Sequence, residues 1–433
     1  MRSLFSLAIG GSDRFRRNFM KIASANAIAQ VVSIVSLPLL SRLYLPEDFG
    51  ILTTYTLMQS VVLSFVTGRI EWIIPNAKSR IQVRRLLGLG LGITAGVLCF
   101  VVGALIAYHT QIEVIFDLPE ISPILWFLPV GVLAGAFQLL WQSWYVFGGD
   151  LTRVGYSKLA QSIVTMLLSL VLGLTALTGM GLISAYVAGF IAAVIVLLSG
   201  RNKDAGSAMV FRPKRAVRLL RIYGRQMMAS TALSVINISM NMSLTMLLIL
   251  YYNSQTVGWY GLVFRVATAP ISLFTTAIVQ SFWTDAALLA KTDPKSLREF
   301  YLGSIKRLSI VSVPFAGVFL CGPLYIPFLF GNENWSGAGL LLMAVTPYLI
   351  GIIIFGSTTH LIVYGKAHWQ LLCDAFTFTV AVGGFILIAV SGQEAWVAVA
   401  VTSVALLAGY ILRFFIHLRA NDLAMQAFDN DAD

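Results

Sequence analysis

Charged residues are scarce in this 433-residue chain: Asp, Glu, Lys and Arg together make up 11% of it, whereas hydrophobic residues make up 58%. A soluble globular domain has about 25% charged and about 45–50% apolar residues. The mean hydropathy of +0.83 agrees with this contrast. The composition therefore excludes an ordinary soluble domain, and we expect no nucleic-acid partner despite the formal net charge of +11.

Cysteine and histidine are also scarce. Cys99, Cys321 and Cys373 lie inside apolar runs without pairing or metal-ligand spacing, and the four histidines are scattered along the chain. These spacings predict no disulfide framework, no metal site and no hydrolytic triad. The chain also lacks a GxxxxGK[ST] loop, so we expect neither nucleotide hydrolysis nor a bound cofactor.

The chain is rich in apolar runs, which are long enough to cross a ~30 Å hydrocarbon core as helices. Backbone groups in lipid must be hydrogen-bonded internally, and these runs are too long for barrel strands. They therefore predict an all-α integral membrane protein with twelve transmembrane helices. The predicted spans are 20–41, 49–66, 86–108, 123–147, 157–178, 181–199, 227–251, 257–281, 305–329, 337–364, 369–390 and 395–416.

The basic residues predict the orientation of these spans, because Lys and Arg are enriched on the cytoplasmic side of a membrane. With a cytoplasmic N-terminus, 28 of the 30 Lys and Arg residues lie at or near the cytoplasmic side, Lys158 among them, and the exceptions are Arg42 and Arg265. The opposite loops carry acids instead. These are Glu47, Asp48, Glu113, Asp117, Glu120, Glu333 and Glu394. We therefore predict that both termini are cytoplasmic.

Long outer loops are absent from this topology. The longest, 109–122, has 14 residues. Membrane glycan ligases and polymerases need room outside the membrane for their chemistry, so the sequence disfavours an enzyme. Residues 90–95, GLGITA, match the residue pattern of a dinucleotide-binding loop, but they lie inside an apolar run. We interpret Gly88, Gly92 and Gly96 as a small-residue face that packs against another helix.

A degenerate repeat divides the chain into halves. LSRLYLPEDFGIL (40–52) and LILYYNSQTVGWYGL (248–262) each join an apolar helix end to a Tyr, a polar turn and a helix-opening Gly, at an offset of about 207 residues. Both copies lie on the same side of the membrane. This predicts two parallel six-helix lobes related by a pseudo-two-fold axis along the membrane normal. The predicted domains are 1–199 (N-terminal lobe), 200–225 (basic cytoplasmic linker), 226–417 (C-terminal lobe) and 418–433 (cytoplasmic tail).

Polar side chains mark one face of the first helix in each lobe. Asn26 and Gln30 follow helical spacing in the first span, as Asn237 and Asn241 do in the seventh. They should face a cavity between the lobes, where they are candidates for hydrogen-bonding to a ligand. The alternative is that they hydrogen-bond to neighbouring helices.

Six segments carry a family resemblance: RLYLPEDFG (42–50), GRIEWIIP (68–75), VGWYGLVFRVATAPISLF (257–274), IVQSFW (278–283), LFGNENWSGAGLLLM (329–343) and LIVYGKAHWQLL (361–372). In this order and spacing they resemble bacterial polysaccharide and O-antigen flippases. These belong to the multidrug/oligosaccharidyl-lipid/polysaccharide exporter (MOP) superfamily. The resemblance covers most of residues 14–375.

This resemblance implies a flippase in the bacterial inner membrane. It would move a polyprenyl-diphosphate-linked oligosaccharide from the cytoplasmic to the outer leaflet by alternating access, for O-antigen, capsule or exopolysaccharide synthesis. The implied partners are that substrate, membrane lipids, and glycan polymerase and assembly proteins. In such a flippase Asn26, Gln30, Asn237 and Asn241 would bind glycan hydroxyls. Coupling to a proton or sodium gradient is left open. The alternatives are a cation-coupled multidrug exporter of the same superfamily and, less favoured, a membrane glycan ligase or polymerase.

Ionisable residues within spans are costly to bury and are therefore functional candidates. Arg265, in the eighth span, is a candidate for holding the substrate diphosphate through paired hydrogen bonds. The alternatives for Arg265 are an interhelical pair and outward snorkelling. Asp374, near the inner end of the eleventh span, is a weaker candidate for a coupling-ion ligand; it also lies within snorkelling reach of the cytoplasm.

Three further residues are candidates at the ends of spans. Arg69 and Glu71, at the inner end of the second span, are expected to pair, either as a gate or as a structural pair. Arg42 lies beside Glu47 and Asp48. We expect Arg42 either to form a local ion pair with these acids or to act at an outer gate.

Overall fold

The computed structural model describes residues 13–116, 125–175, 179–200, 213–292, 294–331, 333–356 and 367–432. These residues form helices and short turns, and no strand occurs among them. The α-helices are α1 (Asp13–Leu40), α2 (Pro46–Leu63), α3 (Ile70–Ile73), α4 (Arg80–Phe116), α5 (Phe127–Phe147), α6 (Leu151–Gly173), α7 (Gly179–Leu198), α8 (Pro213–Tyr251), α9 (Ser254–Thr292), α10 (Pro294–Leu320), α11 (Gly322–Phe330), α12 (Ser336–Gly351), α13 (Ala367–Val390) and α14 (Ala395–Ala432). Short 3-10 turns cover Ile74–Asn76 and Glu333–Trp335, and a π-helical turn covers Ile352–Gly356.

Each predicted span overlaps one of these helices. Seven described segments are long and apolar enough to cross a membrane by length and composition alone: Arg80–Tyr108, Leu151–Gly173, Gly179–Leu198, Ser296–Leu320, Glu333–Gly356, Leu372–Val390 and Ala395–Leu423. The other five predicted spans fall on α1, α2, α5, α8 and α9, which are shorter or more polar in their described parts. The prediction of an all-α membrane protein is confirmed.

Several helix boundaries differ from the predicted ones. The predicted span 305–329 is broken, because α10 ends at Leu320 and α11 begins at Gly322. Pro323 explains the break, because it has no N–H to continue the helical hydrogen bonds of α10, whereas it fits the first turn of α11. The segments 200–225 and 418–433 are partly helical, because α8 already begins at Pro213 and α14 continues to Ala432.

The chain divides into two compact units, Met1–Gly258 and Trp259–Asp433. The boundary between these units lies near the start of α9. In the first unit α8 packs against α2 and α4. The predicted lobe boundaries at 199 and 226 stay a prediction.

In the first unit, α6 packs along both α1 and α7, and α5 packs against α7. One buried cluster joins α3, α4 and α5 to the start of α8. Its members are Ile70, Ile73, Ile74, Val83, Leu86, Leu87, Leu89, Leu140, Trp141, Trp144, Tyr145, Val154, Leu197, Ala216 and Met227. Because lipid is as apolar as these side chains, close van der Waals packing stabilises such contacts within a bilayer more than removal from water does.

The predicted glycine face of α4 is wrong for Gly88 and Gly96. A Cβ at either position would meet no neighbouring atom within 4 Å. A Cβ on Gly90 would lie 2.8 Å from Leu140 Cδ2, so Gly90 is the residue that allows α5 to approach. Two residues rotate the direction of a side chain by about 200° around an α-helix, and the prediction therefore chose the opposite face.

In the second unit, α14 packs against both α12 and α13, and α11 packs against α12. Aromatic rings join α10 to α14: the ring of Tyr301 lies 5.9 Å from that of Phe414 and 5.6 Å from that of His417. Tyr301 and His417 are both almost fully buried. This stack fixes the position of the C-terminal part of α14 against α10.

Candidate functional site

Two helix starts meet within the first unit, at Pro46 of α2 and Ser254 of α9. A Cβ on Gly50 would overlap the carbonyl oxygen of Ser254, and a Cβ on Gly258 would overlap that of Pro46. The Ser254 hydroxyl also donates to the Glu47 carbonyl oxygen at 3.2 Å. The contact is reciprocal, because the first residue of each helix lies against the fifth residue of the other. Two segments that are related by a two-fold axis make such reciprocal contacts, because each segment presents the same residues to the other.

We call residues 44–50 and 252–258 the outer junction, after their predicted side of the membrane. The two copies of the repeat cap their helices with complementary bonds. The Leu45 N–H donates to Asp48 Oδ2 at 2.9 Å, whereas the Thr256 N–H donates to Asn253 Oδ1 at 2.9 Å. Each bond is one half of a capping box. Pro46 suits the first helical position, where an N–H would have no partner within the helix.

Tyr44 anchors the first copy of the outer junction to α6. Its hydroxyl donates to the Ser169 carbonyl oxygen at 2.8 Å, and the side chain is buried. Burial, together with the nearby Asp48 carboxylate, raises the pKa of Tyr44 to about 12. Tyr44 is therefore a neutral hydrogen-bond donor at physiological pH.

Arg42 does not form the local ion pair that was one of its two predicted roles. It is exposed, and among the described residues no ion pair joins it to Glu47 or Asp48. The Asp48 carboxylate accepts the Leu45 N–H instead. The other predicted role of Arg42, at an outer gate, stays a prediction.

Arg69 and Glu71 pair as expected, with Arg69 Nη1 3.2 Å from Glu71 Oε1. The Thr67 hydroxyl donates to Glu71 Oε2 at 2.6 Å, and the Arg69 guanidinium lies 5.3 Å from the ring centroid of Trp72. The backbone is unusual here, because Gly68 and Arg69 adopt φ values of 61° and 56°. A non-glycine residue in this left-handed region costs about 1–2 kcal/mol. A gating role for the pair stays a prediction.

Asp374 has a partner that the sequence analysis did not foresee. Arg413 of α14 donates a hydrogen bond to its carboxylate, and the Gln370 side chain also bonds to it. The Arg413 guanidinium lies 5.1 Å from the ring centroid of Tyr410. The protein itself therefore supplies the cation at Asp374. A coupling ion bound there would have to displace Arg413.

Arg265 lies within α9 and is partly buried. It follows Ser254 by eleven residues, so it is about 16 Å along the helix axis from the helix start. Ala267, which is fully buried, comes two residues later and points about 200° away around the helix. Arg265 is therefore on the side of α9 away from this packed position. Contact with substrate stays a prediction.

The predicted polar stripes are only partly described. Gln30 lies on α1 and is partly buried. The side chains of Asn26, Asn237 and Asn241 lie outside the described residues, although their backbones belong to α1 and α8. The proposed roles of these four residues in glycan binding stay predictions.

Lys158 lies farther into its helix than the predicted span 157–178 implied. Because α6 begins at Leu151, Lys158 lies seven residues into the helix, about 10 Å along its axis. The GGD sequence at 148–150 is a helix-start signal that could have revealed this. Arg153, the other basic residue of α6, is hydrogen-bonded to α7, because its Nε donates to the Val196 carbonyl oxygen at 3.1 Å.

A family described as polysaccharide biosynthesis protein matches residues 39–340. The chain belongs to this family. Its match spans most of the chain and includes the outer junction, the Arg69–Glu71 pair, Lys158 and Arg265. The search of curated proteins found no match to the sequence of this chain.

Solved structures share the fold of this chain. Lipid II flippase MurJ, in an inward closed conformation, aligns with a TM-score of 0.67 and 10% identity over 93% of this chain and 89% of MurJ. An inward-facing multidrug resistance MATE family transporter of the MOP superfamily aligns at 0.61 and 11% identity, over 96% and 97% of the two chains. The eukaryotic MATE transporter AtDTX14 aligns at 0.56 and 13% identity, over 96% and 100%.

At these identities the likeness shows the fold alone. The chain has the twelve-helix, two-lobe fold of these transporters. The predicted fold class and the resemblance to the polysaccharide branch of the superfamily are therefore confirmed.

Proposed function

We propose that this protein is a flippase for a polyprenyl-diphosphate-linked oligosaccharide. It moves the substrate from the cytoplasmic to the outer leaflet by alternating access, for O-antigen, capsule or exopolysaccharide synthesis. One combined observation carries the proposal: a polysaccharide biosynthesis family covers residues 39–340 of a chain whose fold is shared with lipid II flippase MurJ. The proposed cellular location is the inner membrane of a bacterium, with both termini in the cytoplasm.

The chemistry of the substrate explains which residues would be needed. Its anionic head and hydrophilic glycan must cross ~30 Å of hydrocarbon. This requires a hydrated path that is lined by cationic and hydrogen-bonding side chains. In this proposal Arg265 binds the diphosphate, because a guanidinium offers paired donors to phosphate oxygens. Asn26, Gln30, Asn237 and Asn241 bind glycan hydroxyls.

A cation-coupled multidrug exporter is the second candidate, favoured by the fold likeness to MATE transporters. A carrier of cationic drugs requires a carboxylate that is available within the spans. In the described part of the first unit, the buried carboxylates belong to Asp48 and Glu71. Asp48 caps α2, and Glu71 pairs with Arg69. Neither is positioned to accept a drug cation, so the flippase proposal is preferred.

The partners proposed for the cell are the glycan polymerase and assembly proteins that use the flipped substrate. A loss-of-function strain should therefore accumulate lipid-linked oligosaccharide on the cytoplasmic side and lose surface polysaccharide. Short outer loops and the absence of a catalytic constellation in the sequence argue against a ligase or polymerase.

Reconstitution tests the proposal directly. The purified protein is incorporated into vesicles that hold radiolabelled lipid-linked oligosaccharide from the host, and a glycosidase added outside measures the accessible fraction. We expect the accessible fraction to rise well above that of protein-free vesicles. An unchanged fraction, accompanied by export of a fluorescent cationic dye, would instead establish the drug exporter.

A further inference from the structure

We infer that Lys158 belongs to a phosphate-binding site inside the first unit, on the face of α6 that turns away from lipid. The ligand class is an amphiphilic phosphate ester. This inference rests on the proposed function, which makes the diphosphate of the lipid-linked oligosaccharide the natural ligand, and it adds a second cationic contact on a different helix from Arg265.

The position of Lys158 on α6 carries the argument. Large apolar residues that are exposed on α6 form one stripe along its length. They are Tyr156, Ile163, Leu167 and Val171. An exposed apolar stripe on a membrane helix faces the hydrocarbon. Lys158 follows Tyr156 by two residues and therefore points about 200° away from this stripe.

Lys158 is nevertheless exposed. A side chain that is exposed on the side of a helix opposite its lipid stripe borders a space inside the protein. The position on the helix and the exposure together indicate that Lys158 lines a crevice within the first unit.

Polar groups continue along the same side of α6. Ser162 lies one turn beyond Lys158, and its hydroxyl oxygen is 3.5 Å from that of Ser33 of α1. Gln161 Oε1 accepts a hydrogen bond from Gln138 Nε2 of α5 at 2.8 Å. Hydroxyl and amide groups of this kind can bind the oxygens of a phosphate ester beside the ammonium.

The charge of Lys158 is not balanced within the described residues. No ion pair or hydrogen bond joins it to them. Glu71 is already engaged by Arg69 and Thr67. Arg153 differs, because it bonds to the Val196 carbonyl oxygen and stacks over Tyr145. A charge within a span is costly, so an unbalanced ammonium there favours an anionic ligand.

Binding to the purified protein in detergent tests the inference. The probes are polyprenyl diphosphate, the uncharged polyprenol of the same length, phosphatidylglycerol and inorganic pyrophosphate, with affinities measured by native mass spectrometry. The variants are Lys158→Ala and Lys158→Arg. Lys78→Ala is the matched control, because it removes the same charge from an exposed position in the same unit.

We expect Lys158→Ala to weaken polyprenyl diphosphate binding by about ten- to a hundred-fold, the effect of losing a hydrogen bond to a charged group. Lys158→Arg and Lys78→Ala should stay within a few-fold of wild type, and polyprenol binding should not change. An equal loss for phosphatidylglycerol would assign the site to a membrane lipid headgroup and overturn its role toward the substrate.

Two negative outcomes are distinguishable. If Lys158→Ala binds polyprenyl diphosphate as tightly as wild type, the inference fails, while the flippase proposal stands as long as wild type transfers lipid-linked oligosaccharide in vesicles. If wild type neither binds polyprenyl diphosphate nor transfers substrate, the proposed function fails and the inference fails with it. A thermal melt of each variant checks that the variant is folded.

Discussion

Charged side chains inside the helices mostly have a partner from the protein itself. Glu71 is bonded by Arg69 and Thr67, and Asp374 by Arg413. Isolated charges are expensive in a low-dielectric interior, and paired charges with additional hydrogen bonds are tolerated. At the residue scale, an ionisable group in a span is therefore a structural feature until its partners are known.

The Asp374–Arg413 pair predicts a stability effect. Asp374→Ala leaves a largely buried guanidinium without its counter-ion, so we expect a loss of about 3 kcal/mol in the free energy of unfolding. Exchanging the two residues, Asp374→Arg with Arg413→Asp, should recover part of this loss. Thermal melts in detergent measure both changes, with the exposed Glu394→Ala as control. Wild-type stability of Asp374→Ala would contradict a structural role for the pair.

Arg265 predicts an effect on export rather than on stability. Arg265→Ala should abolish surface polysaccharide while the protein remains in the membrane, because the diphosphate loses its paired donors. Arg265→Lys keeps the charge without the planar fork and should retain part of the export. Immunoblots of membranes and of surface glycan provide the two measurements. Full export by Arg265→Ala would exclude the residue from substrate binding.

At the scale of helices, the repeat is visible as a contact. The starts of α2 and α9 approach each other reciprocally through Gly50 and Gly258, and larger residues would separate the two backbones. The sequence repeat alone predicted related turns but not that they touch. Glycines at helix crossings allow the two backbones to reach van der Waals contact, and this contact stabilises helix pairs in lipid.

Gly258→Ala should disrupt this contact, because its Cβ would overlap the Pro46 carbonyl oxygen. We expect a loss of about 1–3 kcal/mol in stability, typical of overpacking, together with reduced export. Gly96→Ala is the matched control, since its Cβ would meet no atom within 4 Å and alanine favours the helix. Thermal melts and surface glycan are compared for the two variants. Equal behaviour of both would mean that the outer junction tolerates separation.

At the scale of the whole molecule, the basic residues predict the topology. A reporter fused after residue 204 should report a cytoplasmic location, and one fused after residue 117 should report a periplasmic location, because Lys and Arg are retained on the inner side. Paired phosphatase and fluorescent-protein fusions at both sites make the measurement. The reverse pattern would overturn the orientation and the proposed direction of transport.

The sequence by itself determined the membrane class, the helix positions, the repeat and the family. These depend on local hydropathy, charge and short motifs, which the chain carries within single segments. Only the tertiary structure decided that Gly90 rather than Gly88 meets α5, that Arg413 pairs with Asp374, that Arg42 does not pair with Glu47 or Asp48, and that Lys158 faces away from the lipid stripe of α6. Each of these depends on a helix start or a helix rotation. A shift of two residues turns a side chain by about 200°, and composition does not reveal it.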